Sequence, residues 1–60
     1  MKFIEFEMEN GRRIFVNIAA IADVYETRDG CRIDFVSGVD DYANVKGSYE
    51  EVRNAIRRMM

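Results

Sequence analysis

The sequence predicts a small α+β domain, an antiparallel sheet of four to five strands followed by one helix. Three observations carry that expectation: period-2 alternation over the first half of the chain, Gly-containing turns between the alternating runs, and a single capped stretch of helical periodicity at the end. With 60 residues, close to half of them apolar and a third charged with both signs mixed, the composition is that of one globular domain spanning 1–60.

Residues 2–8 place Ile4, Phe6 and Met8 on one side and Glu5 and Glu7 on the other, with Phe3 standing among the acids. After Asn10-Gly11 the alternation resumes with Ile14, Val16 and Ile18 in phase, which reads as a β-hairpin. Loop length sets its register, because a slip of one residue turns every side chain to the other face. A two-residue loop would place Phe6 opposite Phe15 and Ile14 opposite Glu7. A three-residue loop, Glu9-Asn10-Gly11, instead pairs Met8 with Arg12, Phe6 with Ile14 and Ile4 with Val16, and sets Glu7 opposite Arg13 as a cross-strand ion pair. The second arrangement keeps the aliphatic set together and predicts a type I turn with Gly11 left-handed in a bulge.

Asn17 to Ala20 interrupts the alternation, and the Asn17 side chain suits the cap of a single helical turn at a corner. Ile21 to Arg28 and Cys31 to Ser37 form a second hairpin around Asp29-Gly30. A two-residue turn there groups Ala22, Val24, Ile33 and Phe35 on the buried face and turns Asp23, Tyr25 and Asp34 outward. A three-residue loop would bury Ile21, Tyr25, Ile33 and Phe35 together with Asp23, and the buried acid counts against it. Ser37-Gly38-Val39-Asp40 reads as another turn and Asp41 to Lys46 as a short fifth strand at an edge of the sheet. Gly47 then lets the chain swing into a helix with Ser48 as N-cap and Glu51 completing a capping box. Its apolar stripe is Tyr49, Val52, Ala55, Ile56 and Met59, and Arg57 and Arg58 suit the negative end of the helix dipole.

Several function classes find no support in these residues. The chain has no histidine, which removes the commonest general base and the Ser-His and Cys-His nucleophiles. A single cysteine, Cys31, leaves no intrachain disulfide, and as a strand residue it is expected to be a small packed side chain rather than a reactive thiol. Asp40-Asp41 and the series Glu5, Glu7, Glu9 lack metal-site spacing, and the glycines stand singly, not in a phosphate-cradling run. No catalytic residue, metal ligand or cofactor is assigned. An early acid, and no apolar run of signal or membrane-span length, give the expectation of a cytoplasmic protein without membrane contact.

What is left is surface. Phe3 and Phe15 fall on the outer face of the first hairpin, Val39 in a turn and Met60 at the terminus, so these four are the candidate contact residues for a second copy or another protein. A domain this short supplies only about 3–5 kcal/mol from its own core, which makes self-association a cheap aid to stability. A second reading uses Arg12 and Arg13 at the hairpin tip and Arg53, Arg57 and Arg58 on the helix as phosphate contacts, with exposed Tyr25 or Phe15 stacking on a base. Against it stand the net charge of −2 and the general preference of turns and helix ends for such charges.

Two family resemblances accompany these readings. Asn10-Gly11, Asn17 before Ile21 and Val24, and the run Val45-Lys46-Gly47-Ser48-Tyr49-Glu50-Glu51-Val52 resemble the short flagellar-operon proteins of the FlbD type along most of the chain. Ile18 stands where that family usually has proline. The resemblance implies a motility-associated protein without established enzymatic activity. Ile21-Ala22-Asp23-Val24 and Val45-Lys46-Gly47-Ser48 also resemble part of the longer LytTR type of DNA-binding domain, whose basic base-reading positions do not map onto this chain.

Overall fold

In the computed structural model, which describes residues 2–38 and 40–60, the chain runs through five strands, a single 3₁₀ turn and one helix. The first hairpin is β1 (Phe3–Glu7) and β2 (Arg13–Asn17), paired Ile4 with Val16, Phe6 with Ile14 and Glu7 with Arg13. Its loop is the three-residue one. The Gly11 amide donates to the Met8 carbonyl at 2.9 Å, the Met8 amide to the Arg12 carbonyl at 2.6 Å, and Gly11 sits at φ +88, a conformation that favours glycine. The expected Glu7–Arg13 ion pair does not form although the two residues are opposite. Arg13 reaches diagonally to Glu5 at 3.8 Å, and Glu7 is drawn instead to Lys46 at 3.3 Å, a residue brought alongside by the fifth strand.

Asn17 caps the corner as its side chain suggests, accepting from the Ala19 amide at 3.1 Å over the 3₁₀ turn Ile18–Ala20. The chain then forms β3 (Ile21–Glu26) and β4 (Cys31–Phe35), and here the structure corrects the sequence reading. The Thr27 amide donates to the Gly30 carbonyl at 3.0 Å, so Arg28 and Asp29 are the turn centre and Gly30 follows it. Neither central residue has positive φ, which fits a type I-like turn with glycine at its fourth position rather than the mirror-image turn that Asp-Gly signals. The register moves by two residues, which leaves faces unchanged: Val24 opposes Ile33 and Tyr25 opposes Arg32. A bulge between Ile21 and Asp23 then inserts Ala22 as an extra residue. Ile21 is thereby half-buried and Ala22 exposed, the reverse of the expectation, while Asp23 keeps its outward position.

The fifth strand, β5 (Tyr42–Val45), pairs with β4 and is not an edge. On its other side the Lys46 amide donates to the Glu7 carbonyl at 2.8 Å, the Glu9 amide to the Asn44 carbonyl at 3.1 Å, and Met8 bridges Val45. These contacts join the two-stranded sheet β1-β2 to the three-stranded sheet β3-β4-β5. The interior position follows from burial, since Ala43 and Val45 both face the core. Helix α1 (Tyr49–Met59) starts with both halves of the capping box in place: Glu51 N–H to Ser48 Oγ at 3.1 Å and Ser48 N–H to Glu51 Oε1 at 3.0 Å. Those bonds hold the Glu51 carboxyl below its ordinary value, the backbone bond contributing most. The helix lies against β3, with Val52 entering a buried cluster of Cys31, Ile33, Ala43 and Val45. Phe6, Met8, Ile14 and Phe35 close over that cluster from the sheets, and Tyr49 and Ile56 from the helix. Among the described residues, no helix is long and apolar enough to cross a membrane.

Candidate interaction surface

Strand alternation sends the even and odd positions of β3, β4 and β5 to opposite faces. The face away from the core carries two cross-strand rows, Tyr25-Arg32-Asn44 and Asp23-Asp34-Tyr42. Arg32 organises them. Its Nε donates to Asp34 Oδ1 at 2.8 Å, and its guanidinium carbon lies 3.8 Å from the Tyr42 ring centre and 5.6 Å from that of Tyr25. A cation held over two rings while bonding a carboxylate has lost much of its freedom already, so little more is lost when a partner docks on it. The rings remain substantially exposed, Tyr25 at 42% and Tyr42 at 45%.

Asp23 and Asp34 stand directly opposite each other, an arrangement that would be repulsive with both ionised. The Asp23 carboxyl is pushed above its ordinary value, first by a hydrogen bond to Asp34, then by burial and by the Asp34 charge, with Arg32 opposing. The Asp34 hydrogen bond also raises Arg32. A raised carboxyl favours the fold at low pH, and that contribution is lost as pH rises through its folded value. Asp23→Asn is therefore expected to leave stability unchanged at pH 3 and to raise the thermal midpoint relative to the wild type at pH 7. Paired melts at the two pH values check it; a midpoint lowered at pH 7 would show that the charged pair stabilises.

Beside these rows an open recess of about 490 Å³ is lined by Asp23, Arg32, Asp34, Phe35 and Val36, and Val36 is 66% exposed. A second recess, about 400 Å³, lies between the first turn and β5, against Met8, Asn10, Tyr42 and Asn44.

The residues singled out from sequence occupy other parts of the surface. Phe3 and Phe15 stack with ring centres 4.9 Å apart and planes at 18°, and Phe15 stays 67% exposed. Met60, 81% exposed, caps the helix, and Val39 lies outside the described residues. Arg12 is exposed at the hairpin turn beside the engaged Arg13. On the helix Arg53 lies over the Tyr49 ring at 5.6 Å, Arg58 Nε donates to the Asn54 carbonyl at 3.3 Å, and Arg57 is exposed in the last turn. Cys31 is fully buried in the core, and burial pushes its thiol up, with Glu26 adding to the effect, as befits a packed side chain. Sequence reasoning missed Arg32, Tyr42 and the carboxyl pair as one cluster, whose members meet only in the observed register.

The fold and this surface define a small α+β domain with an aromatic and charged outer sheet face. Comparison with known protein families, with curated proteins and with solved structures finds no match to the chain.

Proposed function

We propose that the chain is a non-catalytic interaction module that self-associates, and that its outer sheet face is where another protein chain docks. The observation that carries this reading is the set of exposed Tyr25 and Tyr42 rings held in fixed geometry by the half-buried Arg32, with the stacked Phe3–Phe15 pair as a second exposed aromatic group on the first hairpin. Tyrosine and arginine are enriched among the residues that dominate binding energy at protein interfaces. A core of six buried side chains among the described residues is small, so covering further apolar surface in a partner would add appreciably to stability. Together with the FlbD-type resemblance, the proposal is of a motility-associated assembly component.

Sedimentation at several concentrations tests it. A mass that rises with concentration toward a multiple of the chain mass is expected, and a strictly monomeric protein at millimolar concentration would overturn self-association. Nucleic-acid binding is the second reading, because Tyr25 and Tyr42 beside Arg32 offer base-stacking surfaces. Asp23 and Asp34 at the same place, and Glu5 and Glu7 on the first hairpin, would repel a phosphate backbone, which is why it ranks second. Retardation of single-stranded DNA or RNA at low salt, weakened by alanine at Arg32, would bring it forward.

A further inference from the structure

Among the described residues strand β2 has one partner, β1, and the parity of its ladder fixes what its other side presents. The Ile18 amide donates to the Lys2 carbonyl at 3.0 Å, and Ile4 with Val16, Phe6 with Ile14 and Met8 with Arg12 continue the same series toward β1. In an antiparallel pair, hydrogen-bonded and non-bonded positions alternate. The amides of Arg13, Phe15 and Asn17 and the carbonyls of Arg13 and Phe15 therefore point away from β1 and, among the described residues, have no further backbone partner, while the Asn17 carbonyl accepts the first bond of the 3₁₀ turn. The devices that usually blunt such an edge are mostly missing: the chain contains no proline, the bulge lies in the turn at Gly11, and one charge, Arg13, stands at the end of the strand.

Resting on the self-association proposed above, we infer that two copies join through β2, edge to edge and antiparallel, with Phe15 on the two-fold axis. This register is selected by the strand itself. Centred on Phe15, it sets Phe15 against Phe15 with two backbone hydrogen bonds, and Arg13 against Asn17 of the second copy, where the Arg13 carbonyl accepts from the facing Asn17 amide. All of β2 is then paired. Centring one residue earlier puts Arg13 opposite Phe15 and leaves Asn17 against the Gly11 bulge. Two residues earlier sets Arg13 against Arg13, and one residue later runs Arg13 into the 3₁₀ corner at Ala19.

No like charges face each other in the chosen register. Each Arg13 stands between its own Glu7 and Asn17 of the second copy, and the two Arg13 side chains lie roughly 13 Å apart along the strand, at about 3.3 Å per residue. The Phe3–Phe15 stacks of both copies meet at the axis as one aromatic cluster, covering a ring that is 67% exposed in the single chain. On the opposite face Ile14 comes against Val16 of the second copy, extending the aliphatic layer.

Amide hydrogen exchange of the intact chain, followed by NMR from micromolar to millimolar concentration alongside sedimentation, tests the pairing. The amides of Ile14, Val16 and Ile18 should be protected at all concentrations, since β1 already holds them. Those of Phe15 and Asn17 should gain protection at least tenfold as the dimer fills. Phe15→Lys sets like charges against each other on the axis and should weaken dimerisation at least tenfold while leaving Ile14 and Val16 protected, which reports that the fold is kept. A dimer whose Phe15 and Asn17 amides exchange as fast as in the monomer, or a Phe15→Lys protein that dimerises as tightly as the wild type, would overturn the edge pairing and leave self-association standing. A chain monomeric throughout would overturn both.

Discussion

Ile33→Ala is expected to leave the isolated chain largely unfolded at 25 °C. Ile33 is fully buried in β4, between Val24 on β3 and Ala43 on β5, in the cluster that Val52 of the helix enters. Truncating a side chain in such a place costs about 2–5 kcal/mol, the spread depending on how far the surroundings collapse into the cavity. A domain of this length has only about 3–5 kcal/mol to lose. Little can collapse here, because the neighbours above and below Ile33 belong to hydrogen-bonded strands and to a helix capped at its first turn. Ile33→Val, which removes one methyl group, should cost roughly 0.5–1.5 kcal/mol and remain folded, giving a graded control. Far-UV circular dichroism with urea titration reads both. Because association stabilises only the folded chain, raising the protein concentration should recover part of the Ile33→Ala structure. An Ile33→Ala midpoint equal to that of the wild type would mean that the core lies elsewhere.

How much of this arrangement is legible in the sequence depends on whether local residues determine it. The first hairpin is, because its two registers separate the aliphatic set differently and only a three-residue loop with a left-handed Gly11 keeps it together. The helix is, because Ser48, Glu51 and the stripe from Tyr49 to Met59 all agree. At the second turn, the Asp-Gly pair suits two turn types that differ by two residues in register but not in the faces they bury. Hydrophobic alternation cannot tell them apart. With Asp29-Gly30 as the centre, Arg32 would stand opposite Thr27 and Asp34 opposite Tyr25; the observed turn sets Arg32 opposite Tyr25 and Asp34 opposite Asp23. The outward direction of Tyr25 and the two acids was therefore readable, and their meeting around Arg32 was not. The bulge at Ala22 escapes a strictly alternating reading for a related reason: it lets Ile21 and Val24 both face inward while Asp23 stays outside.

Gly30 is where that turn becomes a tertiary requirement, and Gly30→Ala is expected to cost about 1–3 kcal/mol, the usual range for forcing an extra methyl into a filled space. Its φ is not positive, so alanine can take up the backbone conformation. The obstacle is contact. A β-carbon at Gly30 would lie 2.8 Å from the Val45 carbonyl oxygen and 3.5 Å from that of Gly47, with a Glu9 carboxylate oxygen at 3.8 Å. Real β-carbons essentially never come as near as the first of these, and a backbone carbonyl cannot rotate aside as a side chain can. Val45 must therefore move, and Val45 is the residue that Met8 bridges where the two sheets join. The damage should be directional. The Glu9 and Lys46 amides, which cross that junction, should exchange faster than those of Ile14 and Val16 within the first hairpin. Gly38→Ala provides the control, since a β-carbon there meets nothing within 4 Å and the change should stay within about 0.5 kcal/mol. If Gly30→Ala proves as stable as Gly38→Ala, the close approach of β4 to the end of β5 is not what holds the sheets together. If it is destabilised with the Glu9 and Lys46 amides loosened first, glycine at this position serves the junction, and the Asp-Gly pair owes its second residue to packing rather than to the turn.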